Sequence, residues 1–442
     1  MKLVFVYPPF CTPTVPPHSI AYLASFISAN SEAYVKCLDL NAKFHRQRFG
    51  DLYRGLEKAK GSLNAYSGLL EKYSSRAKKV HRENNVRMAG NEEPELFREL
   101  LELILGEKPD VVGFSLVYNS QIFYARRLIR ELSARGIQCV AGGPASDRLV
   151  KDGVPVLKDG AELLRYLGGK ENFTDSYAPD FSQFPEEDYL SKEMIYPIRS
   201  SFGCNYKACA FCTHHTNVPY KEIDPDDIKK TILDNKIKNL FFIDDTIPAK
   251  RLSDLANTLK PLGVKWWCQT RPTRDLLGLF PRLRESGLVS ISFGVESGSQ
   301  RMLDLMRKGT KAEDVSEVLT ASHRAGIRNI VFVMFGFPGE TEASFTETMD
   351  FLRANSDNLD IISAAIFGLQ KGSYVYDHPD EFGVFDICAH GTPLGESIGY
   401  SVREGLSEQQ AHIMKEKLDK ELRGMDKMPK VFCLLKEQSL FF

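Results

Sequence analysis

The sequence predicts an α/β protein. An open, doubly wound parallel sheet comes first, and a partial (β/α)6 barrel with a helical carboxy-terminal cap follows. Two observations carry this. Short apolar, β-branched runs alternate with amphipathic helical stretches over residues 1–168, and the same rhythm restarts at 195 and continues to 375. Strands alternating with helices favour parallel sheets covered by helices. A third observation is that turn residues recur just after the apolar runs, where α/β sheets bind ligands.

In the first stretch, Leu3–Tyr7 is an apolar run stopped by Pro8 and Pro9. His18–Ser28 has helical spacing, and Tyr34–Leu38 is the second strand. Residues 42–108 interrupt the sheet as a helical insertion. Its 42–88 portion carries 12 Lys plus Arg against 4 Asp plus Glu, and an acidic amphipathic helix follows over 94–105. Such a charge run reads first as a solvated face and second as a basic lid for an acidic or peptide substrate. VVGFSLV, from Val111, is a buried-strand pattern leading to a helix that ends near Ala134. Gln138–Ala141 is a strand ending in Gly142-Gly143-Pro144, and Val154–Leu157 precedes a last helix over 161–167.

Residues 169–194, with GGKEN and APDFSQFPEEDY, have the turn chemistry of a connector. The barrel is assigned to 195–375, with strands at 195–200, 239–243, 265–270, 289–295, 329–335 and 361–368. Helices are expected at 225–234, 252–262, 276–286, 314–325 and 345–354. Pro225 suits a first helical position behind Asp224. In such barrels functional groups gather at the strand carboxyl ends. Residues 376–442 hold one charged helix, 407–425, read as a cap over the barrel mouth.

With 442 residues, 43% hydrophobic and 26% charged, the chain has room for two or three cored domains. A formal net charge of −1 gives no general attraction to nucleic acid or an anionic membrane. No apolar run of membrane-spanning length occurs, and MKLVFVYPPF lacks the layout of a signal peptide. Nine cysteines, an odd number mostly dispersed, suit a reducing cytoplasm.

Three of those cysteines, Cys204, Cys209 and Cys212, fall in one short loop with spacing C-x4-C-x2-C. Thiolates so close suggest a metal or iron–sulfur site rather than disulfides. Structural zinc wants four ligands, and His214 or His215 could complete it. A plant-type [2Fe–2S] run needs one more cysteine. The next, Cys268, sits on a strand facing away from Gln269 and Arg271. Three thiolates with a vacant fourth iron suit a cluster that a substrate can coordinate.

The loop, with Gly203, Tyr206 and Phe211 around its cysteines, resembles a radical SAM enzyme, as do the downstream FFIDDT, GVESGS and GFPGET runs. The commoner spacing there is one residue shorter, and the longer form with an aromatic in the first interval resembles a variant of the cobalamin-binding branch. The resemblance implies that Cys204, Cys209 and Cys212 hold a [4Fe–4S] cluster open to S-adenosylmethionine. It places Phe211 beside the adenine, Asp244 and Asp245 as acceptors for the methionyl ammonium, and Gln269 and Arg271 on one side, with Arg271 on the carboxylate. Glu296 would take ribose hydroxyls, and Phe335 and Gly336 would let backbone approach the adenine.

The first domain resembles the Rossmann-like cobalamin-binding domain of class B radical SAM enzymes. Its ligand loops would be Tyr7, Pro8, Pro9 and Phe10, then Ser115, Leu116, Val117, Tyr118 and Asn119, then Gly142, Gly143 and Pro144. No Asp-x-His-x-x-Gly occurs, so cobalamin would lack a histidine beneath cobalt, with Leu116, Val117 or Tyr118 packed there instead. The implied activity is C-methylation of an unactivated carbon through a 5′-deoxyadenosyl radical and methylcobalamin, with the strand ends of the two domains opposed around the substrate. The expected substrate is a peptide or protein, as for the glutamine C-methylase of methyl-coenzyme M reductase. A flavodoxin or ferredoxin would donate electrons, and neither nucleic acid nor membrane is a partner. The alternatives are cyclisation or rearrangement without methyl transfer, and a non-catalytic electron-transfer module.

Overall fold

The computed structural model describes residues 1–169, 172–174, 176–213, 218–392 and 395–442. The chain divides into two compact units. The first comprises residues 1–197, 227–237 and 392–395, and the second the remainder. Among the described residues no helix is long and apolar enough to cross a membrane.

The first unit is built on five parallel strands: β1 (Lys2–Tyr7), β2 (Tyr34–Asp39), β3 (Val111–Ser115), β4 (Gln138–Gly142) and β5 (Val156–Leu157). Their order is β2-β1-β3-β4-β5. β1 and β3 are buried almost throughout, because helices cover both faces and no polar alternation is tolerated. β1 pairs with both β2 and β3, although the helical insertion separates it in sequence from β3. The strand order therefore reverses between β1 and β3, which opens a crevice at their carboxyl ends.

The insertion folds as helices Leu40–Arg48, Gly50–Ala59, Leu63–Ala89 and Phe97–Gly106. Leu70, Tyr73, Ala77 and Val80 form the buried stripe of the long third helix, at helical spacing. The expected connector belongs to the first unit and is strapped down rather than free. Tyr177 N–H donates to Asp227, Phe181 N–H to Asn235 Oδ1, and Asn235 Nδ2 to Pro179 O. The helix Pro225–Asp234 is thereby tied to this strap.

The second sheet runs β13-β12-β11-β10-β9-β6. Its strands are β6 (Tyr196–Ile198), β9 (Asn239–Phe242), β10 (Lys265–Thr270), β11 (Leu288–Glu296), β12 (Arg328–Phe335) and β13 (Ile361–Ile366). Two short antiparallel strands, β7 (Ser201–Phe202) and β8 (Lys221–Glu222), bracket the cysteine loop. Helices Ala249–Leu259, Phe280–Glu285, Ala312–Arg324 and Glu342–Ala354 connect the later strands. Phe335 stacks on Phe345 with ring centroids 4.3 Å apart, which fixes odd residues of β12 outward and even ones inward.

The carboxy-terminal part differs from the single helix expected. A hairpin, β14 (Val384–Thr392) and β15 (Gly395–Val402), comes first and adds Ile387, Ile398, Tyr400 and Val402 to an apolar cluster around Phe337 and Phe367. The helix Glu408–Met425 then lies along β13. Asp426, just past it, accepts from Ile362 N–H at 2.7 Å, so a sheet edge is covered instead of left open. The final turn, Lys436–Phe441, lies on the inner face of the sheet, with Lys436 Nζ 4.8 Å from the centre of the Phe332 ring.

Candidate active site

Ser200 and Ser201 bring the chain from β6 into the cysteine loop, and both are fully buried. Gly203, at φ 68°, turns the chain where a Cβ would lie 2.5 Å from Val218 O. Further along, Ala210 is gripped on both sides. Its N–H donates to Met306 O at 2.9 Å, and its carbonyl accepts from Val375 N–H at 3.0 Å. Between these anchors Cys204, Cys209 and Cys212 stand outside any disulfide, each half-buried. Burial pushes the Cys209 thiol up, and the nearby Lys308 ammonium pulls against that.

Cys268 is fully buried on β10, so it is sealed away from the loop. Among the described residues no three His, Cys, Asp or Glu side chains converge on one ion. His214 and His215 lie outside the described residues.

At the strand ends the structure brings together Glu296, Arg271, Phe211 and a residue the sequence reading missed, Lys308. A register shift between Gly294 and Glu296 on β11 re-aims Glu296, which sits at φ 67°. Bulges do this at sites where a side chain must point off the ladder. Glu296 Oε1 lies 2.9 Å from Lys308 Nζ, and both side chains are nearly buried. Burial pulls the Lys308 ammonium down, but Glu296 and Cys209 outweigh it and hold it above the usual lysine range. Lys308 Nζ is also 5.8 Å from the Phe211 ring centre. The signal available in sequence was an R-K-G-T turn closing a short helix, Gln300–Leu305, which the periodicity did not reveal.

Several of the expected site residues already have partners within the chain. Asp244 is fully buried, and its carboxylate accepts from Ser200 N–H at 2.9 Å, Ser200 Oγ at 2.8 Å and Ser201 Oγ at 2.6 Å. It clasps the approach to the cysteine loop. Asp245, next to it, is half-buried. Gln269 spends its amide N–H on Asp244 O, at 2.6 Å. The Phe335 side chain belongs to the outer core. Gly336, at φ 75°, leaves room for the Glu408–Met425 helix, since a Cβ there would lie 2.8 Å from Ala411 Cβ. Arg271 donates through Nη2 to Lys308 O and Gly309 O and stacks on Tyr206.

The donor set still fits a cluster and a polar nucleoside. Three thiols share one loop. Arg271 Nε, Thr310 Oγ1, Ser292 Oγ and Trp267 Nε1 are buried without a hydrogen-bond partner among the described residues. Buried polar groups are almost always paired, so such orphans mark where a polar ligand or water belongs. Asn205, Thr246, Thr270 and Arg271 also line a cavity of about 340 Å³.

In the first unit the loops at the crevice are laced together through Gln121. Its Oε1 accepts from Val117 and Tyr118 N–H at 2.8 and 2.9 Å, and its Nε2 donates to Pro8 O at 2.9 Å. Gly143, at φ 101°, is held so close that a Cβ would lie 2.5 Å from Leu116 O. Leu116 is itself fully buried. Tyr7, Pro8, Pro9, Phe10 and Ser115 are buried as well. Phe10 packs on Phe44, His45 and His81 of the insertion, and Ser115 bonds Ser19 at 2.7 Å. What the loops expose is Tyr118, Asn119, Gly143 and Pro144, with Val117 and Gly142 half-buried. A flat ligand laid over these carboxyl ends fits that rim.

Glu340, in the turn after β12, carries a prediction of its own. It is fully buried, and Oε2 accepts from Gly336 N–H while Oε1 has no partner among the described residues. Burial pushes its carboxyl up to about 7. An acid raised above its unfolded value of ~4.5 stabilises the fold below that pH, and the stability is lost as pH climbs through 7. Unfolding free energy is therefore expected to fall by roughly 2–3 kcal/mol between pH 5 and 8. Glu340→Gln, which keeps the acceptor, should remove most of that slope in urea titrations.

Residues 198–352 match the model of the radical SAM superfamily. An uncharacterised methyltransferase of Pyrococcus horikoshii is 22% identical over 63% of this chain and 71% of its own length. The chain spans only 43% and 40% of two other curated relatives. Among solved structures, the cobalamin-dependent radical enzyme OxsB superposes with a TM-score of 0.64 at 15% identity, over 95% of this chain and 66% of OxsB. The radical S-adenosylmethionine methyltransferase TsrM of Kitasatospora setae superposes with a TM-score of 0.61 at 12% identity, over 96% of this chain and 88% of TsrM. These likenesses give the two-part fold, and the family match falls on its second half, residues 198–352.

Proposed function

We propose that the protein is a cobalamin-dependent radical SAM methyltransferase acting on an unactivated carbon of a peptide or protein. The observation that carries this is the loop of three thiols beside the Glu296–Lys308 pair, in a chain whose other half ends its parallel strands in an open crevice. Cys204, Cys209 and Cys212 would hold the [4Fe–4S] cluster, with Phe211, Asp245, Gln269, Glu296 and the backbone at Gly336 around S-adenosylmethionine. Val117, Tyr118, Asn119, Gly142, Gly143 and Pro144 would face cobalamin.

Bound there, these groups supply a hydrogen-abstracting 5′-deoxyadenosyl radical and a transferable methyl group; the chain supplies position and shelter. Glu296 is aimed by its bulge and has a second carboxylate oxygen for hydroxyl donors. Lys308 keeps the nearby charge balanced. The Phe337 and Phe367 cluster beneath Phe211 excludes water from the loop's inner side. The basic insertion and the strap would frame an extended chain, which favours a peptide over a small metabolite.

The test is anaerobic reconstitution with iron, sulfide and hydroxocobalamin, reduction, and incubation with S-adenosylmethionine and peptide libraries. 5′-Deoxyadenosine together with methylated peptide is expected. Deoxyadenosine without methylated product favours cyclisation or rearrangement, and its absence favours an electron-transfer module. Lack of a cobalamin absorption spectrum after loading would reduce the first unit to a scaffold.

A further inference from the structure

The one-residue-longer cysteine spacing has a counterpart elsewhere in the chain. Tyr206 stands in the longer interval between Cys204 and Cys209. Its ring carries the Arg271 guanidinium carbon 3.4 Å from the centroid. Its hydroxyl donates to Arg307 O at 2.9 Å. Arg271 Nη2 donates to Lys308 O, and to Gly309 O at 3.2 Å. Gly309, at φ 63°, is the residue that makes this possible. A Cβ there would lie 2.2 Å from Tyr206 Oη and 3.2 Å from Arg271 Nη2. The ring, the guanidinium and the 307–309 turn thus form a closed stack from three separate parts of the chain.

We propose that Tyr206, Arg271 and Gly309 are a clamp that seats the cysteine loop on the 307–309 turn, with Arg271 a positioning residue rather than the ligand of the methionyl carboxylate. The inference rests on reading Cys204, Cys209 and Cys212 as cluster ligands. Because the clamped turn also holds Lys308, whose Nζ is 2.9 Å from Glu296, the thiols and the nucleoside-facing carboxylate are positioned by one device. The planar, forked arginine suits the task, since it can stack on an aromatic face and reach two carbonyls at once. A lysine cannot do both. Nε is buried without a partner among the described residues, so a ligand role is the competing reading.

Two measurements separate them. In the apo protein, iodoacetamide labelling of Cys204, Cys209 and Cys212, mapped by mass spectrometry, should quicken about ten-fold in Arg271→Met and Tyr206→Ala. Tyr206→Phe, which keeps the stacking face and loses only the bond to Arg307, should give a smaller rise. After reconstitution, both larger variants should retain several-fold less iron. Their binding of S-adenosylmethionine and of its decarboxylated analogue should weaken by the same factor.

Unchanged labelling and iron, with weakening confined to the carboxylate-bearing ligand, would overturn the clamp and make Arg271 a carboxylate ligand. Full recovery of loading by Arg271→Lys would overturn it as well. If the wild-type chain holds no cluster, the cluster reading falls, while apo labelling still reports on the clamp. Should Arg271→Met fail to fold, Tyr206→Phe and Gly309→Ala carry the same comparison.

Discussion

Alanine in place of any one of Cys204, Cys209 or Cys212 is expected to remove the cluster and, with it, at least roughly 10³-fold of S-adenosylmethionine cleavage. The three thiols stand on one short loop pinned at Ala210 to Met306 and Val375, so the loop keeps its course when one sulfur is lost. What is lost is a bond to iron. Cys268 is fully buried on β10 and is the next cysteine in sequence. Cys268→Ala serves as the control. It should leave iron content alone and cost about 1–2 kcal/mol of stability through the small void it creates. Iron per chain, the spectrum of the reduced protein and 5′-deoxyadenosine release measure both. If each single cysteine variant still carried a full complement of iron, the loop would not be the ligand set.

The sheets were legible because buried parallel strands leave a strong mark. VVGFSLV and the strand from Leu3 are apolar almost throughout, and helices at 3.6-residue spacing separate them. The cysteine loop was legible because its spacing is rare. Partners that depend on contacts between distant segments were not. Asp244 read as a ligand since it ends a strand, yet Ser200 and Ser201, over forty residues earlier, consume its carboxylate. Lys308 sits in a turn with no periodic signature, and its pairing with Glu296 exists only once β11 bulges. Gly336, expected to let backbone approach the adenine, also meets a helix more than seventy residues later, a contact that no local pattern announces. The hairpin β14–β15 escaped because its strands alternate weakly and lie outside the parallel repeat. Local pattern carried the architecture, and tertiary hydrogen bonds decided which strand-end residues remained available for chemistry.

The Asp244 clasp gives the second large effect. Asp244→Ala is expected to destabilise the second unit by about 3–5 kcal/mol, because Ser200 N–H and the hydroxyls of Ser200 and Ser201 lose a charged acceptor in a buried place. That corresponds to a thermal midpoint lower by roughly 10 °C. Burial pushes the Asp244 carboxyl up, and the bonds from Ser201 and Ser200 pull it back. Asp244→Asn should be milder. Its amide oxygen can keep the fixed Ser200 N–H, while its amino group faces hydroxyls that can rotate to accept. Arg251 Nη2 holds Ser200 O from the other side at 2.8 Å, so the segment would loosen rather than unravel. Iron retention should fall in the same order, alanine below asparagine below wild type, since Ser201 leads directly to Gly203 and Cys204. A carboxylate that served the methionyl ammonium would behave differently. Its alanine variant would keep the wild-type melting point and iron and lose only affinity for S-adenosylmethionine. That pattern, seen in calorimetry and equilibrium dialysis on the same preparations, would return Asp244 to the ligand set and remove the clasp.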